Sequence, residues 1–306
     1  MNSVTEEQID YIGDVLNNPK RPLKERFRAL FCLRNLGGVA SIKHIQRAFS
    51  DTSALLKHEL AYCLGQMQDE RANLVLKEVL QDLNQEAIVR HEAAEALGAI
   101  GSRQSVELLE KYKSDKAVEV AQTCELALER INWLHRKNDK EKSSENPFMS
   151  IDPAPPTITE NIADLKATLL NNEVSLFQRY RAMFCLRNLK SDEAAMVLGL
   201  ALKCDGALFK HEVAFVLGQL QNELSVPALK EKLEDRFESG MVRHECAEAL
   251  GAIANDECID ILKKYVNDEN RLVKESCEIA LDMCEYENSF DFQYANTIDT
   301  FHSNHI

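Results

Sequence analysis

Long apolar runs are missing from this sequence, and none approaches the length that a helix needs to cross a bilayer. Also missing is the basic region followed by an apolar core that marks a secretory leader, because the opening MNSVTEEQIDYIGDVL carries acids instead. These absences set the expectation of a soluble, cytoplasmic protein with no membrane partner. Basic charge is in deficit: 36 Lys and Arg against 50 Asp and Glu leave a formal charge of −14. That balance excludes general nucleic-acid binding, which needs clustered cations to replace counterions, and it favours cationic partners or substrates. Sustained alternation with β-branched residues is absent, which argues against strands. The nine Cys include no C-x-x-C pair. Cys32 recurs as Cys185 and Cys124 as Cys277, each inside an apolar helical pattern. Buried, reduced thiols are expected rather than disulfides or metal ligands.

What is present is repetition. The chain has 306 residues, enough for two domains or one extended array. RFRALFCLRNL at 26–36 returns as RYRAMFCLRNL at 179–189, KHELAYCLGQMQ at 57–68 as KHEVAFVLGQLQ at 210–221, and RHEAAEALGAI at 90–100 as RHECAEALGAI at 243–253. All three share an offset of 153 residues, so two halves are copies of one unit. A shorter period of 31 to 33 residues runs within each half, as from Cys32-Leu33 to Cys63-Leu64 and from His58 to His91. Periods of this size belong to helix-pair solenoids, and HEAAEALGAIG shows the three- and four-residue apolar spacing of a helix. Gly65, Gly98, Gly218 and Gly251 would let neighbouring helices approach closely. The expected fold is an all-α solenoid of two pseudo-symmetric halves, 1–134 and 161–285, with about four helix pairs each. Residues 135–160 hold four of the seven prolines and almost no helical period; a flexible linker is expected there. A poorly ordered tail is expected from 286 to 306, and its His302 and His305 receive no role.

Four of the eight histidines are followed by Glu and preceded by a basic residue: His58-Glu59, His91-Glu92, His211-Glu212 and His244-Glu245. Each pair is expected to begin the inner helix of a repeat. A lone pair there is ordinarily a solvated face, or an acid favoured by the helix dipole. Only the middle two repeats of each half carry His-Glu, however. The outer repeats have Phe27-Arg28 and Tyr180-Arg181 in one case, Gln122-Thr123 and Glu275-Ser276 in the other. The pairs are therefore not part of the generic repeat. Imidazole and carboxylate without thiolate suit first-row divalent metals, and eight donors exceed the positions of one octahedral ion. A paired metal site in one common cleft is expected. Glu95 and Glu248 lie four residues after His91 and His244, where they could orient the imidazoles or form surface ion pairs. Tyr62 and Phe215 hold the matching places after His58 and His211 and read as core packing.

At these residues the sequence closely resembles the deoxyhypusine hydroxylase family, α-solenoids of HEAT-like repeats marked by four His-Glu pairs in KHE and RHE contexts followed by LGQ or ALGAI. The resemblance covers nearly the whole chain outside the linker and tail. It implies a non-haem di-iron centre held by residues of these pairs, with dioxygen as co-substrate and one oxygen atom inserted into a C–H bond. The implied substrate is deoxyhypusine, a lysine of a eukaryotic translation factor already extended with an aminobutyl group; the product is hypusine. His58, His91, His211 and His244 would then bind iron, and Glu59, Glu92, Glu212 and Glu245 would divide between iron and the substrate's amines. No catalytic side chain beyond the metal centre is implied. Two other readings stand beside it. The R-H-E-x-A-x-x-A-L-G-x-I pattern also resembles HEAT-like repeats of phycobilin lyase relatives, which suits a non-catalytic interaction scaffold. The same donors could also serve a zinc hydrolase.

Overall fold

The computed structural model describes residues 4–136 and 146–298, and every regular element among them is helical. Two units divide the chain: one runs to Ile131 and takes in the stretch from Phe290, and the other spans Asn132–Ser289. Each contains four helix pairs, as the two nested repeats imply. The first unit pairs α1 (Glu6–Asn17) with α2 (Leu23–Leu36), α3 (Gly38–Ala48) with α4 (Ala54–Gln66), α5 (Asn73–Gln81) with α6 (Ala87–Ile100), and α7 (Val106–Tyr112) with α8 (Val118–Leu134). The second pairs α9 (Ile162–Leu169) with α10 (Leu176–Leu189), α11 (Asp192–Ala201) with α12 (Ala207–Leu220), α13 (Val226–Glu234) with α14 (Gly240–Ile253), and α15 (Asp256–Tyr265) with α16 (Arg271–Glu287).

The second helices of successive pairs stack on one another, and small residues set their spacing. A Cβ added at Gly65 would lie 2.8 Å from Ala96 Cα, and one at Gly218 would lie 3.0 Å from Ala249 Cα. A Cβ at Gly65 would collide with α6, and one at Gly218 would fit only if α14 gave way by a few tenths of an ångström, so α4 meets α6, and α12 meets α14, at close range. Gly98 against Ala127 and Gly251 against Ala280 repeat the contact one helix further on.

The basic residue before each His-Glu pair belongs to this stacking rather than to a site. Arg90 Nε donates to Leu80 O and the guanidinium pairs with Asp115; Arg243 does the same with Leu233 O and Asp268. Lys57 reaches Glu86 at 2.6 Å, and Lys210 reaches Glu238. Each ties one pair to the turn of the next. The Arg90 hydrogen bond holds the Asp115 carboxyl below its ordinary range. Burial alone would raise Asp268, yet Arg243 and a backbone donor hold it below as well. Arg26 makes the same contacts with Leu16 O and Asp51 in an outer repeat that has no His-Glu. The basic position thus extends to a repeat without His-Glu, although Ala121 holds it in the last repeat of the first unit.

The segment read as a flexible linker differs from that expectation over 146–160. These residues form a strap packed on α10 of the second unit, with Pro153, Ala154, Pro155 and Pro156 buried. Arg187, fully buried, donates Nη1 to Asp152 Oδ1 at 2.9 Å and Nη2 to Asp152 Oδ2 at 2.7 Å, a two-pronged pairing that fixes orientation. Its plane lies over Phe148, and its Nη1 also reaches Gln219 on α12. Arg181 Nε donates to Pro155 O, and Thr157 N donates to Arg181 O. The tail differs too: α16 continues to Glu287, and Tyr294 packs against Arg28 and Phe31 of the first unit. His302 and His305 lie outside the described residues. Removing one partner of a buried ion pair strands the other charge, at about 3 kcal/mol or more. Asp152→Ala is accordingly expected to lower stability by about 3 kcal/mol, read from the urea midpoint at unchanged slope. A loss under about 0.5 kcal/mol, the range of an ordinary surface change, would show that this pair does not hold the strap.

Candidate metal centre

All four His-Glu pairs stand one turn into their helices rather than at the first residue. His58 is the fifth residue of α4, His91 of α6, His211 of α12 and His244 of α14. Ser53 and Ser239 cap the starts of α4 and α14 with side-chain oxygens, so the free N–H groups are dealt with before the pair is reached. Helix-dipole effects fade within that first turn. The pairs are also buried: His91 and His244 are 0% exposed, and the most exposed of the eight, Glu59, only 8%. A solvated helix start therefore does not account for them.

Each Gly contact stands two turns beyond a histidine on the same face, so the close approach of the helices carries the rings together. The His58 and His91 ring centroids lie 5.5 Å apart, and those of His211 and His244 lie 5.1 Å apart. Glu92 on α6 reaches back toward α4, placing Oε2 3.2 Å from His58 Nε2 and 4.0 Å from His91 Nε2. In the second unit Glu245 Oε2 lies 3.1 Å from His211 Nε2 and 3.8 Å from His244 Nε2. The two units thus build the same arrangement from matching residues.

These spacings fit a metal ion. Donors at about 2.1 Å from one ion are about 3.0 Å apart when adjacent in an octahedron and about 4.2 Å apart when opposed. The four measured Nε2–Oε2 distances fall within or close to that interval. Among the described residues, donor atoms of His58, His91 and Glu92 all lie within 4.8 Å of one another, as do those of His244, Glu245 and Glu248. Two imidazoles and one carboxylate on one side of an octahedral ion leave positions open, which is the ligand set of non-haem Fe(II) oxygenases.

The carboxylates divide. Glu92 and Glu245 face the imidazoles of both helices of their unit, while Glu59 and Glu212 are buried as the other carboxylates of the four pairs. Glu59 and Glu92 both act on Tyr62, whose half-buried phenol is pushed up by burial first and then by Glu59, so it stays protonated. Glu248 Oε1 lies 3.4 Å from His244 Nδ1, the place of an imidazole-orienting acceptor, and Ser276 Oγ donates to the same oxygen at 3.2 Å. Glu95 is half-buried at the matching place on α6. Ser276 was visible in the sequence only as a place where the last repeat lacks His-Glu. That shared register is the signal that could have pointed to it. None of the nine cysteines forms a disulfide, and burial pushes Cys124, Cys277 and Cys284 up to about 12 and Cys258 to about 11, so these four are not poised as nucleophiles.

A profile of HEAT repeats matches residues 24–129 and 195–282. Deoxyhypusine hydroxylase of Drosophila melanogaster is 59% identical over 294 residues, covering 96% of this chain and 97% of its own. The Homo sapiens protein of that name is 53% identical over 296 residues, covering 97% of both. The solved structure of human deoxyhypusine hydroxylase in complex with glycerol superposes with a TM-score of 0.89 at 54% identity, over 92% of this chain and 97% of that one.

Proposed function

The chain belongs to the deoxyhypusine hydroxylase family, and on that premise we propose that it hydroxylates the deoxyhypusine side chain of a eukaryotic translation factor with two iron ions and dioxygen. The observation that carries the metal reading is the pair of matching two-imidazole, one-carboxylate arrangements, one in each unit. His58, His91 and Glu92 would hold one ion, and His211, His244 and Glu245 the other. Iron, when bound, supplies dioxygen activation and delivery of one oxygen atom to a C–H bond.

The side chains do the rest. Burial of the donors excludes bulk water, which strengthens every charge interaction in the site. Glu59 and Glu212, the two carboxylates of the pairs that do not face both imidazoles, would receive the substrate's ammonium groups and so fix which carbon faces the metal. The acidic balance of the chain suits a polyamine-like side chain. No helix of the described residues is long and apolar enough to cross a membrane. We place the reaction in the cytoplasm.

Purified chain is expected to carry about two iron atoms, one for each three-donor set. Iron-loaded protein given a deoxyhypusine-bearing substrate, dioxygen and a reductant should raise the substrate mass by one oxygen atom. Stoichiometric zinc without oxygen uptake would favour a hydrolase instead, and a metal-free chain that still binds the substrate protein would favour a scaffold.

A further inference from the structure

Ser276 sits on α16 one turn before Ala280, the residue that Gly251 of α14 packs against so closely that a Cβ there would lie 2.7 Å from its Cα. This contact fixes α16 against α14 and sets the fully buried Ser276 hydroxyl opposite His244. Three polar atoms then form a closed triangle. Glu248 Oε1 lies 3.4 Å from His244 Nδ1, Ser276 Oγ lies 3.5 Å from the same nitrogen, and Ser276 Oγ lies 3.2 Å from Glu248 Oε1.

Only one proton arrangement satisfies all three edges. A carboxylate can only accept, so Nδ1 must carry the ring proton and donate toward Oε1, with Oγ as a second acceptor. The single hydroxyl proton then goes from Oγ to Oε1. In the other neutral tautomer the Nδ1 lone pair would face the carboxylate, which is repulsive. The arrangement leaves the Nε2 lone pair unprotonated, on the side that faces Glu245. Glu248 is itself partly open to water, its side chain 24% exposed. Water can therefore draw it off the imidazole unless something inside holds it, and the Ser276 hydroxyl is a buried donor placed to do so.

We infer that Ser276 is a positioning residue of the second unit's metal centre, anchoring Glu248 on His244 Nδ1 and thereby presenting Nε2 to the ion. This rests on the proposal above that His244 is a metal ligand. The first unit does not share the device. Its matching residue, Thr123, turns its hydroxyl back to the carbonyl of Glu119 at 2.7 Å.

The test is titration of the metal-free full chain with cobalt(II) under argon, in a His91→Ala background where the second unit's site alone remains intact. Outer partners of a metal-bound histidine typically contribute about 10- to 100-fold in metal affinity. Ser276→Ala is expected to weaken cobalt binding about 10-fold, Ser276→Thr to restore it, and Thr123→Ala to leave it unchanged. In the metal-free protein, long-range proton–nitrogen spectra of the imidazoles should show His244 as the Nδ1–H tautomer, and a mixture once Ser276 is Ala. Unchanged affinity and tautomer in Ser276→Ala would overturn the inference, as would an equal loss in Thr123→Ala. If Ser276→Ala fails to fold, Ser276→Cys, of similar shape but a weak donor, carries the same comparison. Absence of any cobalt binding by the unmutated chain would instead sink the metal reading itself.

Discussion

Replacing His91 or His244 with Ala is expected to remove one metal ion per chain and to lower activity by about 10³-fold or more, with helical circular dichroism unchanged. Each ring is 0% exposed and lies within reach of a carboxylate that it shares with the histidine of the neighbouring helix. Deleting it reduces a three-donor set to two, and two protein donors do not hold a divalent ion against water at ordinary concentrations. On the proposed function the ion supplies the dioxygen chemistry, so loss of binding would be loss of turnover rather than a small kinetic change. Folding should survive. A fully buried imidazole truncated to Ala leaves a cavity whose cost is about 2–5 kcal/mol, below the stability of most domains. The distinguishing feature is which ion goes. His91 lies in the first unit and His244 in the second, so each variant should retain about one iron, and only the double variant none. Elemental analysis reads this directly. Two irons retained in His91→Ala would show that the ring is not a ligand and would remove the basis of the proposed centre.

The repeat offset, the helix pairs and the four His-Glu pairs were legible because each is a matter of spacing along the chain. A period of just over thirty residues with apolar helical stripes has few physical solutions, and the exclusion of His-Glu from the outer repeats already separated it from the generic consensus. The role of the preceding Lys or Arg was less visible. Its partners, such as Asp115 for Arg90, sit 25 residues away in another repeat, where no local pattern announces them. The packing of the strap over 146–160 was not legible for a related reason. Prolines interrupt helices, but a proline ring is also apolar, and Pro153, Pro155 and Pro156 are buried. Lack of a helical period shows only that a segment is not a helix. Nor could sequence divide the carboxylates. Glu59 and Glu92 follow histidines identically, and only the direction in which α6 faces α4 sets Glu92 across both rings.

That division yields the second large effect. Glu59→Gln and Glu212→Gln are each expected to keep both irons yet to lower kcat/KM by about 100-fold. The side chain of the proposed substrate carries two amines, charged at neutral pH, and would leave water to enter a site whose walls are buried. A hydrogen bond to a charged partner contributes about 1.5–3 kcal/mol, and more when the partner is desolvated. Each 1.36 kcal/mol is a factor of ten, so about 3 kcal/mol corresponds to the 100-fold loss. Gln keeps the shape and volume of Glu, so packing is preserved and the change isolates charge. Because the substituted groups stand outside the proposed three-donor sets, metal content should not follow activity down. Glu92→Gln and Glu245→Gln provide the contrast, since there the carboxylate faces two Nε2 atoms and its neutralisation should release iron. Neutral amine analogues of the side chain should discriminate less between Glu59→Gln and the unmutated enzyme than the charged substrate does. If Glu59→Gln lost iron as Glu92→Gln does, the carboxylates would be ligands of one kind and the substrate's amines would need another partner.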